Sequence, residues 1–415
     1  MTLVVVGADA AVARAAATLP VDVVHVRLPG APPLDVAAAA YHSVDYQHGP
    51  TFLAFVDEVL RPLAPSAVVS LTELGLEPAA VAARRLGVVG VPPEVVRATR
   101  DKREMRRVLE REAPHLNPPG FAAGDDEGAV ARLFGEPVGG VGGVGGVGGV
   151  GDGGRGEGRG GAVVVKPVAG TGSNAVALVT ALADLPEDRR TPATLLERYV
   201  GGREFSVETL SSSGRHTCVG IAEKRTTAEG FVEVAHIMPA PSLDAAGRRR
   251  VEEAVGELLD AVGLSDGPAH TEVKVDGERV TVIETHNRPG GDGIPDLVRL
   301  TSGVDWRRAA LGWAVGEPPR TEPGAPSAAA ATVFFTAPPG QVTTVAPRPT
   351  PTRRARVVEW DVAVEPGDPV SPLRSSADRL GMAVLTAASG AECAAAVEEL
   401  TALRVVTTEC PGQDA

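Results

Sequence analysis

Apolar residues fall into two rhythms along the first 95 positions. Short, almost unbroken valine-rich runs, TLVVVGA, VDVVHV and SAVVSL, have the continuous hydrophobicity of strands buried on both faces. Between them DAAVARAAATL, TFLAFVDEVLRPL and EPAAVAARRLG carry apolar positions at helical spacing, and Gly87 ends the last. Strands alternating with helices predict an open parallel α/β domain over residues 1–95. Its first turn, GADAAVAR, has no complete G-x-G-x-x-G, so the pattern gives little support to a dinucleotide site.

The rhythm then changes. PPEVVRATRDKREMRRVLERE predicts two helices and GDDEGAVARLF a third. From 162 to about 290 the chain is rich in strands: AVVVKP, AVALVT, ATLLERYV, EFSVETLSS, HTCVGIAEK, AHTEVKVDG and RVTVIETH. One long helix interrupts them, with Val251, Val255, Leu258 and Val262 on a shared face and Ala254 and Leu259 beside it. IPDLVRLTSGVDWRRAALGWAVG predicts two more helices, 317–327 reads as a linker, and 328–415 reads as a small C-terminal α+β domain. The middle domain spans 96–316. It contains a glycine-valine tract at 138–161, with 15 of the chain's 49 glycines between 139 and 161. Such a composition cannot build a core and reads as a mobile spacer rather than a functional loop.

Composition narrows the classes. A net charge of −13 on 415 residues, with the acids dispersed, argues against nucleic-acid or anionic-membrane partners. No apolar run reaches the roughly 20 residues of a membrane span. The first 20 residues lack a basic segment and read as a buried strand rather than a signal peptide. Cys218, Cys393 and Cys410 have neither zinc-site nor C-x-x-C spacing and read as free thiols, which with the missing signal suggests a cytoplasmic protein. Of 40 basic residues only Lys102, Lys166, Lys224 and Lys274 are lysine. In a chain that otherwise uses arginine, these positions are candidates for a compact, flexible ammonium.

Three stretches carry chemistry. VVVKPVAGTGSNAV places Lys166 at a strand end before a loop of small residues, an arrangement that can lay N–H groups over a polyphosphate or be a plain hairpin. LLERYVGGREF puts Glu197 before an extended segment and Glu204 after a Gly-Gly turn, where carboxylates can meet an adenine amine and ribose hydroxyls or be merely solvated. TEVKVDGERVTVIETHNRPGGD sets Glu272 and Glu284 on facing strands. Two acids inside apolar strands are costly unless a cation sits between them, and magnesium suits carboxylates plus phosphate oxygens. The arginine and glycines that follow could hold a carboxylate or an acyl-phosphate.

Lys102 in RDKREMRRVL, Lys166 in VVVKP, ERYVGGREF, Glu272 and IETHNRPGGD stand in the order and spacing of the ATP-grasp superfamily, and essentially the whole chain resembles it. FVEVAHIMPA and RPGGDGIPDLVRLTSGVDW look most like the L-amino acid ligases, which form dipeptides and related amides. The resemblance implies an open α/β domain, an ATP-binding domain of two subdomains and a small C-terminal α+β domain. It implies ATP and two Mg2+ ions, with Mn2+ able to substitute, small-molecule carboxylate and amine substrates, and a homodimer or monomer. Lys102 and Lys166 would contact the phosphates, with Gly170, Thr171, Gly172, Ser173 and Asn174 as the covering loop. Glu197, with the backbone of Arg198 and Val200, would bind adenine, and Glu204 the ribose. Glu272 and Glu284 would hold the metals. Arg288 would stabilise the acyl-phosphate, with Gly290 and Gly291 beside it, and Glu233 and His236 would line the amino-acid pocket. Roles for Lys224 and Lys274 stay open.

One departure stands out. The superfamily pattern is Glu-x-Asn-x-Arg, but here the middle position is His286, and Asn287 is displaced by one. Either residue could complete the metal site. The expected reaction activates a carboxylate as an acyl-phosphate and joins it to an amine, releasing ADP and phosphate. The competing readings are an ATP-grasp carboxylase or purine-pathway-type ligase, and a nucleotide-binding scaffold without catalysis.

Overall fold

The computed structural model describes residues 1–135, 161–228, 230–320, 327–349 and 354–409. Nearly all of the glycine-valine tract, most of the linker reading and Cys410 lie outside the described residues.

The first 100 residues form an open sheet in the order β3-β2-β1-β4, from β1 (Thr2–Val6), β2 (Asp22–Arg27), β3 (Ala40–Ser43) and β4 (Ala67–Val69), all parallel. Helices α1 (Ala10–Ala16), α2 (Gly49–Phe55) and α3 (Leu76–Leu86) pack on it, α3 ending at Gly87 with φ +70°. Alternate residues of β1 face opposite cores: Leu3 and Val5 meet α1, while Val4 and Val6 meet Phe52 and Val56. Only β3 was not evident from the pattern, because AYHS alternates between half-buried and exposed and carries no apolar run.

Helices α4 (Pro93–Arg100) and α5 (Lys102–Glu112) lead into the middle region, α5 starting where Asp101 accepts hydrogen bonds from the backbone of Arg103 and Glu104. A four-stranded antiparallel sheet follows in the order β5-β8-β6-β7, from β5 (Phe121–Ala123), β6 (Val163–Pro167), β7 (Ala177–Val179) and β8 (Thr194–Arg198). Helix α6 (Glu127–Gly135) packs on it through Val130 and Leu133.

The largest sheet among the described residues begins with β9 (Arg203–Ser212), β10 (Arg215–Thr226), β11 (Glu233–Met238), β12 (Gly267–Asp276) and β13 (Arg279–His286). Helix α7 (Ala245–Ala261) covers one face, burying Val251, Ala254, Val255, Leu258 and Leu259 as the periodicity predicts. Helices α8 (Ile294–Ser302) and α9 (Trp306–Gly312) come next, and α9 packs against the first domain.

The C-terminal segment contributes β14 (Ala329–Phe334), β15 (Gly340–Val345), β16 (Ala355–Val362), β17 (Pro369–Val370), β18 (Gly381–Ala387), α10 (Gly390–Ala402) and β19 (Val406–Glu409). It is α+β, but it shares its main sheet with the middle region. β14 pairs with β11, giving the order β13-β12-β9-β10-β11-β14-β18-β16. Strand β11, read from sequence only as a pocket segment, is thus the splice between the two regions. Its buried Glu233 and His236 break the apolar run that would have marked it as a strand.

Candidate active site

The two antiparallel sheets of the middle region enclose a cleft of ≈370 Å3. Period-2 geometry explains its basic wall: Val163 and Val165 of β6 point into the core against α6, so Val164 and Lys166 point into the cleft. Lys166 Nζ lies 2.7 Å from Glu197 Oε2, and the buried Arg106 approaches Glu197 Oε1 at 2.5 Å. Burial pushes the Glu197 carboxyl up, but the Arg106 guanidinium and the Lys166 ammonium outweigh it and hold it at about 2. Burial lowers the Lys166 ammonium, opposed by Glu197. Both Glu197 oxygens therefore already carry a cation, and an adenine amine would have to use their remaining lone pairs.

Lys102, at the start of α5, reaches across the cleft. Its Nζ donates to the Gly170 carbonyl at 2.9 Å and pairs with Glu284 Oε2 at 2.8 Å. Residues 170–174 line the cleft, with Gly170 at φ +134° and Gly172 at φ +71°, where a side chain would be strained. The loop is fastened on both sides: Ser173 Oγ donates to the Phe231 carbonyl at 2.9 Å, and the Ser376 N–H donates to the Gly172 carbonyl at 3.0 Å. Arg198 and Val200 line the far end. There Lys274 Nζ donates to the Val200 carbonyl at 3.1 Å and lies over the Tyr199 ring.

The acidic wall comes from the β12–β13 hairpin, where Glu272 and Glu284 are cross-strand partners. Burial raises both carboxyls, but Lys224 brings Glu272 down to about 2, and Lys102 holds Glu284 well below the usual carboxylate range. His286, two residues after Glu284, shares its strand face. Its Nε2 is 3.3 Å from Glu284 Oε1, and its Nδ1 is 3.1 Å from Glu73 Oε2. Asn287 does not join this wall. It turns to the other side, where Thr99 Oγ1 donates to its Oδ1 at 3.0 Å, and it lines a separate small cavity with Val68 and Trp313. Asn287 lies one residue past the end of β13 and faces away from Glu284, so in this structure His286, and not Asn287, stands beside the two carboxylates.

Among the described residues no three His, Cys, Asp or Glu side chains are grouped to hold a metal by themselves. Two ionised carboxylates facing one cleft, with no thiolate, nonetheless suit a magnesium ion that completes its shell with phosphate and water oxygens.

The remaining end of the cleft holds Glu233, His236, Arg288 and Gly291. Glu233 accepts from Ser376 Oγ at 2.8 Å, and His236 Nε2 is 3.4 Å from Asp292 Oδ2. Asp292 takes a two-pronged bond from Arg379 at 2.6 and 2.9 Å, and that guanidinium stacks 3.6 Å over Phe334. Arg288 Nε donates at 2.9 Å to Glu73, which also accepts from Arg100 at 2.7 Å. Gly290 is not a free donor: its N–H bonds the buried Glu208 at 3.0 Å, and an added Cβ would come within 2.7 Å of that carboxylate. Glu208 also accepts from Trp306 Nε1 and lies 2.6 Å from His270 Nδ1, so the Gly290 N–H braces the loop, while Gly290 itself lines a second cavity beside Arg288.

Glu73, Arg106, Asp292, Ser376 and Arg379 escape the sequence reading because their partners are remote in the chain. Arg106 alone left a trace, one helical turn after Lys102 on α5.

Comparison with known proteins agrees with this geometry. An ATP-grasp domain model matches residues 160–296, and a model described as L-amino acid ligase C-terminal domain 2 matches 333–409. Over 287 residues the chain is 27% identical to carnosine synthase 1 of Gallus gallus, covering 67% of this chain and 30% of that protein. Over 108 residues it is 31% identical to alanine–anticapsin ligase of Bacillus subtilis, covering 26% and 22% respectively. The chain spans about a third or less of the curated relatives it matches. The crystal structure of an L-amino acid ligase from Bacillus licheniformis superposes with a TM-score of 0.75 at 21% identity, covering 99% of both chains. Phosphoribosylglycinamide synthetase from Anaerococcus prevotii superposes at 0.67 with 14% identity, covering 98% of this chain and 99% of that one. The chain thus contains an ATP-grasp domain, which supplies Lys166, Glu272 and Glu284, and a C-terminal domain of the L-amino acid ligase type.

Proposed function

We propose that this chain is an ATP-dependent carboxylate–amine ligase that joins amino acids or related molecules. The observation that carries the reading is the convergence of Lys102, Lys166, Glu272, Glu284 and Arg288 on one cleft, closed by a glycine loop and continuous with an amino-acid-type pocket. ATP lies between the two sheets. A substrate carboxylate oxygen attacks the γ-phosphorus and ADP leaves. The amine nitrogen then attacks the acyl carbon, phosphate departs and the nitrogen loses a proton, leaving an amide.

Most of the catalysis is placement and charge. Lys102 and Lys166 lie where phosphate charge would rest, and Lys102 ties the covering loop to Glu284. Bound magnesium would neutralise phosphate charge; Glu272 and Glu284, with His286 beside them, would hold it. Arg288 is steadied by Glu73 from the first domain, which aims its guanidinium at the developing acyl-phosphate. The loop at 170–174, fastened to Phe231 and Ser376, keeps water from an intermediate it would hydrolyse. A second cavity of ≈270 Å3 shares Arg288, Gly291 and Asp292 with the cleft and reaches Thr72 of the first domain, leaving room for the second reactant.

A carboxylase or purine-type ligase is the second reading, because solved structures of that kind share the fold at TM-scores of 0.61–0.67. Phosphate release screened over amino-acid pairs, with product masses, separates the two. The expected result is pair-dependent release with one condensed product per phosphate, abolished in Glu284→Gln. Release that needs bicarbonate and ignores amino acids would overturn the ligase reading.

A further inference from the structure

Lys224 has no place in the scheme above, yet its setting is the most organised in the cleft. Four adjacent strands, β12, β9, β10 and β11, each supply one side chain to it. The ammonium on β10 lies 2.7 Å from Glu204 Oε1 on β9, 2.7 Å from Glu272 Oε1 on β12 and 3.2 Å from Glu233 Oε1 on β11. Its side chain is 1% exposed, and its three N–H donors match three carboxylates. Burial opposes the charge, but the three acids hold this ammonium well above the ordinary lysine range.

Three sequence-assigned roles therefore meet on one residue: Glu204 at the ribose, Glu233 at the amino-acid pocket and Glu272 at the metal. With the ammonium gone, these three carboxylates could close on the point that the nitrogen now holds. The remaining cations are more peripheral, with Lys274 Nζ 3.9 Å from Glu204 and His270 Nε2 3.4 Å from Glu272. Lysine cannot leave as a hydrated ion can, so the cluster is permanently part-neutralised. Its residual negative charge still draws a cation that arrives with its own phosphate ligands.

We infer that Lys224 is an internal counter-ion that keeps Glu204, Glu233 and Glu272 from capturing a free divalent cation, so that metal enters this cleft only with a nucleotide. The inference rests on the reading that the cleft takes a metal nucleotide, but its test needs neither nucleotide nor turnover. Lys224 acts through the carboxylates it spaces and is a positioning residue.

The test is Mn2+ titration of the nucleotide-free full chain, read by electron paramagnetic resonance of the free ion. Lys224→Met keeps the length of the side chain and removes its charge. It is expected to bind Mn2+ about tenfold tighter or more than the unaltered chain, the sign set by loss of a unit charge within a few ångströms. Lys224→Arg, which keeps the charge, is expected to match the unaltered chain. A merely structural lysine would lower stability in the Met variant without creating metal affinity. If Lys224→Met does not fold, Lys224→Gln serves, which keeps a hydrogen-bond donor toward the carboxylates but removes the charge, with tighter binding still expected. A folded variant of either kind that binds Mn2+ no better than the unaltered chain overturns the inference. So does an unaltered chain that already binds Mn2+ tightly without nucleotide. Failure of the ligase reading would show instead as absent phosphate release, with the Mn2+ result untouched.

Discussion

The two ends of the cleft are built differently. At the end proposed for the nucleotide, Lys102, Lys166, Arg106, Glu197 and Glu284 all come from the middle region and form two groups of ion pairs at 2.5–2.8 Å, Lys102 with Glu284 and Glu197 with Lys166 and Arg106. At the substrate end the charges cross regions: Glu73 reaches Arg288 from the first domain, and Arg379 reaches Asp292 from the C-terminal segment. One end is a rigid charge lattice within one body; the other is a junction that exists only when three parts of the chain are docked. On the proposed reading, nucleotide chemistry is set by local geometry, while substrate choice depends on how the outer regions sit.

Lysine 166 gives the largest expected break in that contrast. Lys166→Met leaves Glu197 buried with Arg106 as its one charged neighbour and removes an ammonium from the phosphate path. Turnover should fall about a hundredfold or more, the scale of losing a pre-placed charge in a water-poor site. The Michaelis constants for the organic substrates should stay within a factor of about three, since losing a group that acts on the phosphates leaves their binding intact. Steady-state kinetics with each substrate varied separately measures the split. Equal damage to both ends would show that the cleft is one cooperative unit.

Arginine 379 probes the other end and should have a smaller effect. Arg379→Met removes both prongs from Asp292, leaving that carboxylate to His236 alone. The Michaelis constant for one organic substrate should rise about tenfold, with that for ATP changed less than about twofold, as expected when a hydrogen-bonded charge in a binding pocket loses its support. If the ATP constant moves instead, the C-terminal segment acts through Ser376 and the covering loop, not through Asp292.

How far each end could be read from the sequence follows the same division. Lys102 and Lys166 were visible because lysine is rare in this chain, and Glu272 and Glu284 because facing strands made two acids conspicuous. The α/β elements, the strand-rich middle region and the C-terminal α+β segment were legible from periodicity, and the grasp arrangement only from the family resemblance. Sharing of one sheet through β11 was not, because its polar residues hid the strand. The choice between His286 and Asn287 stayed open in the sequence because only the folded chain shows Asn287 turned toward Thr99. That the Gly290 N–H is already engaged was hidden because the carboxylate that claims it, Glu208, lies 82 positions earlier. Pairings such as Glu73 with Arg288, 215 positions apart, leave no local trace. Local signals reported the chemistry, and only the folded chain reported the docking.

His270 offers the finest cut, because it is a buried part of the acidic wall with carboxylates on both ring nitrogens. Burial would lower its imidazole, but the Glu208 carboxylate at 2.6 Å outweighs that and raises it to about 9. The folded state thus prefers the protonated ring over an unfolded reference near 6.5. Its contribution to stability is fully present below pH 6.5, declines as pH rises, and is gone above pH 9. The size at neutral pH is about 2 kcal/mol, from the shift and the cost of ~1.4 kcal/mol per unit. His270→Gln removes this titration while keeping a hydrogen-bonding side chain. Denaturant unfolding at pH 6, 7.5 and 9.5 should show the unaltered chain losing its margin over the variant by about 3 kcal/mol across the range, nearly the full shift at ~1.4 kcal/mol per unit. Parallel curves for the two proteins would mean that His270 is neutral in the fold, and that Glu208 is held by Trp306 and Gly290 without a cation.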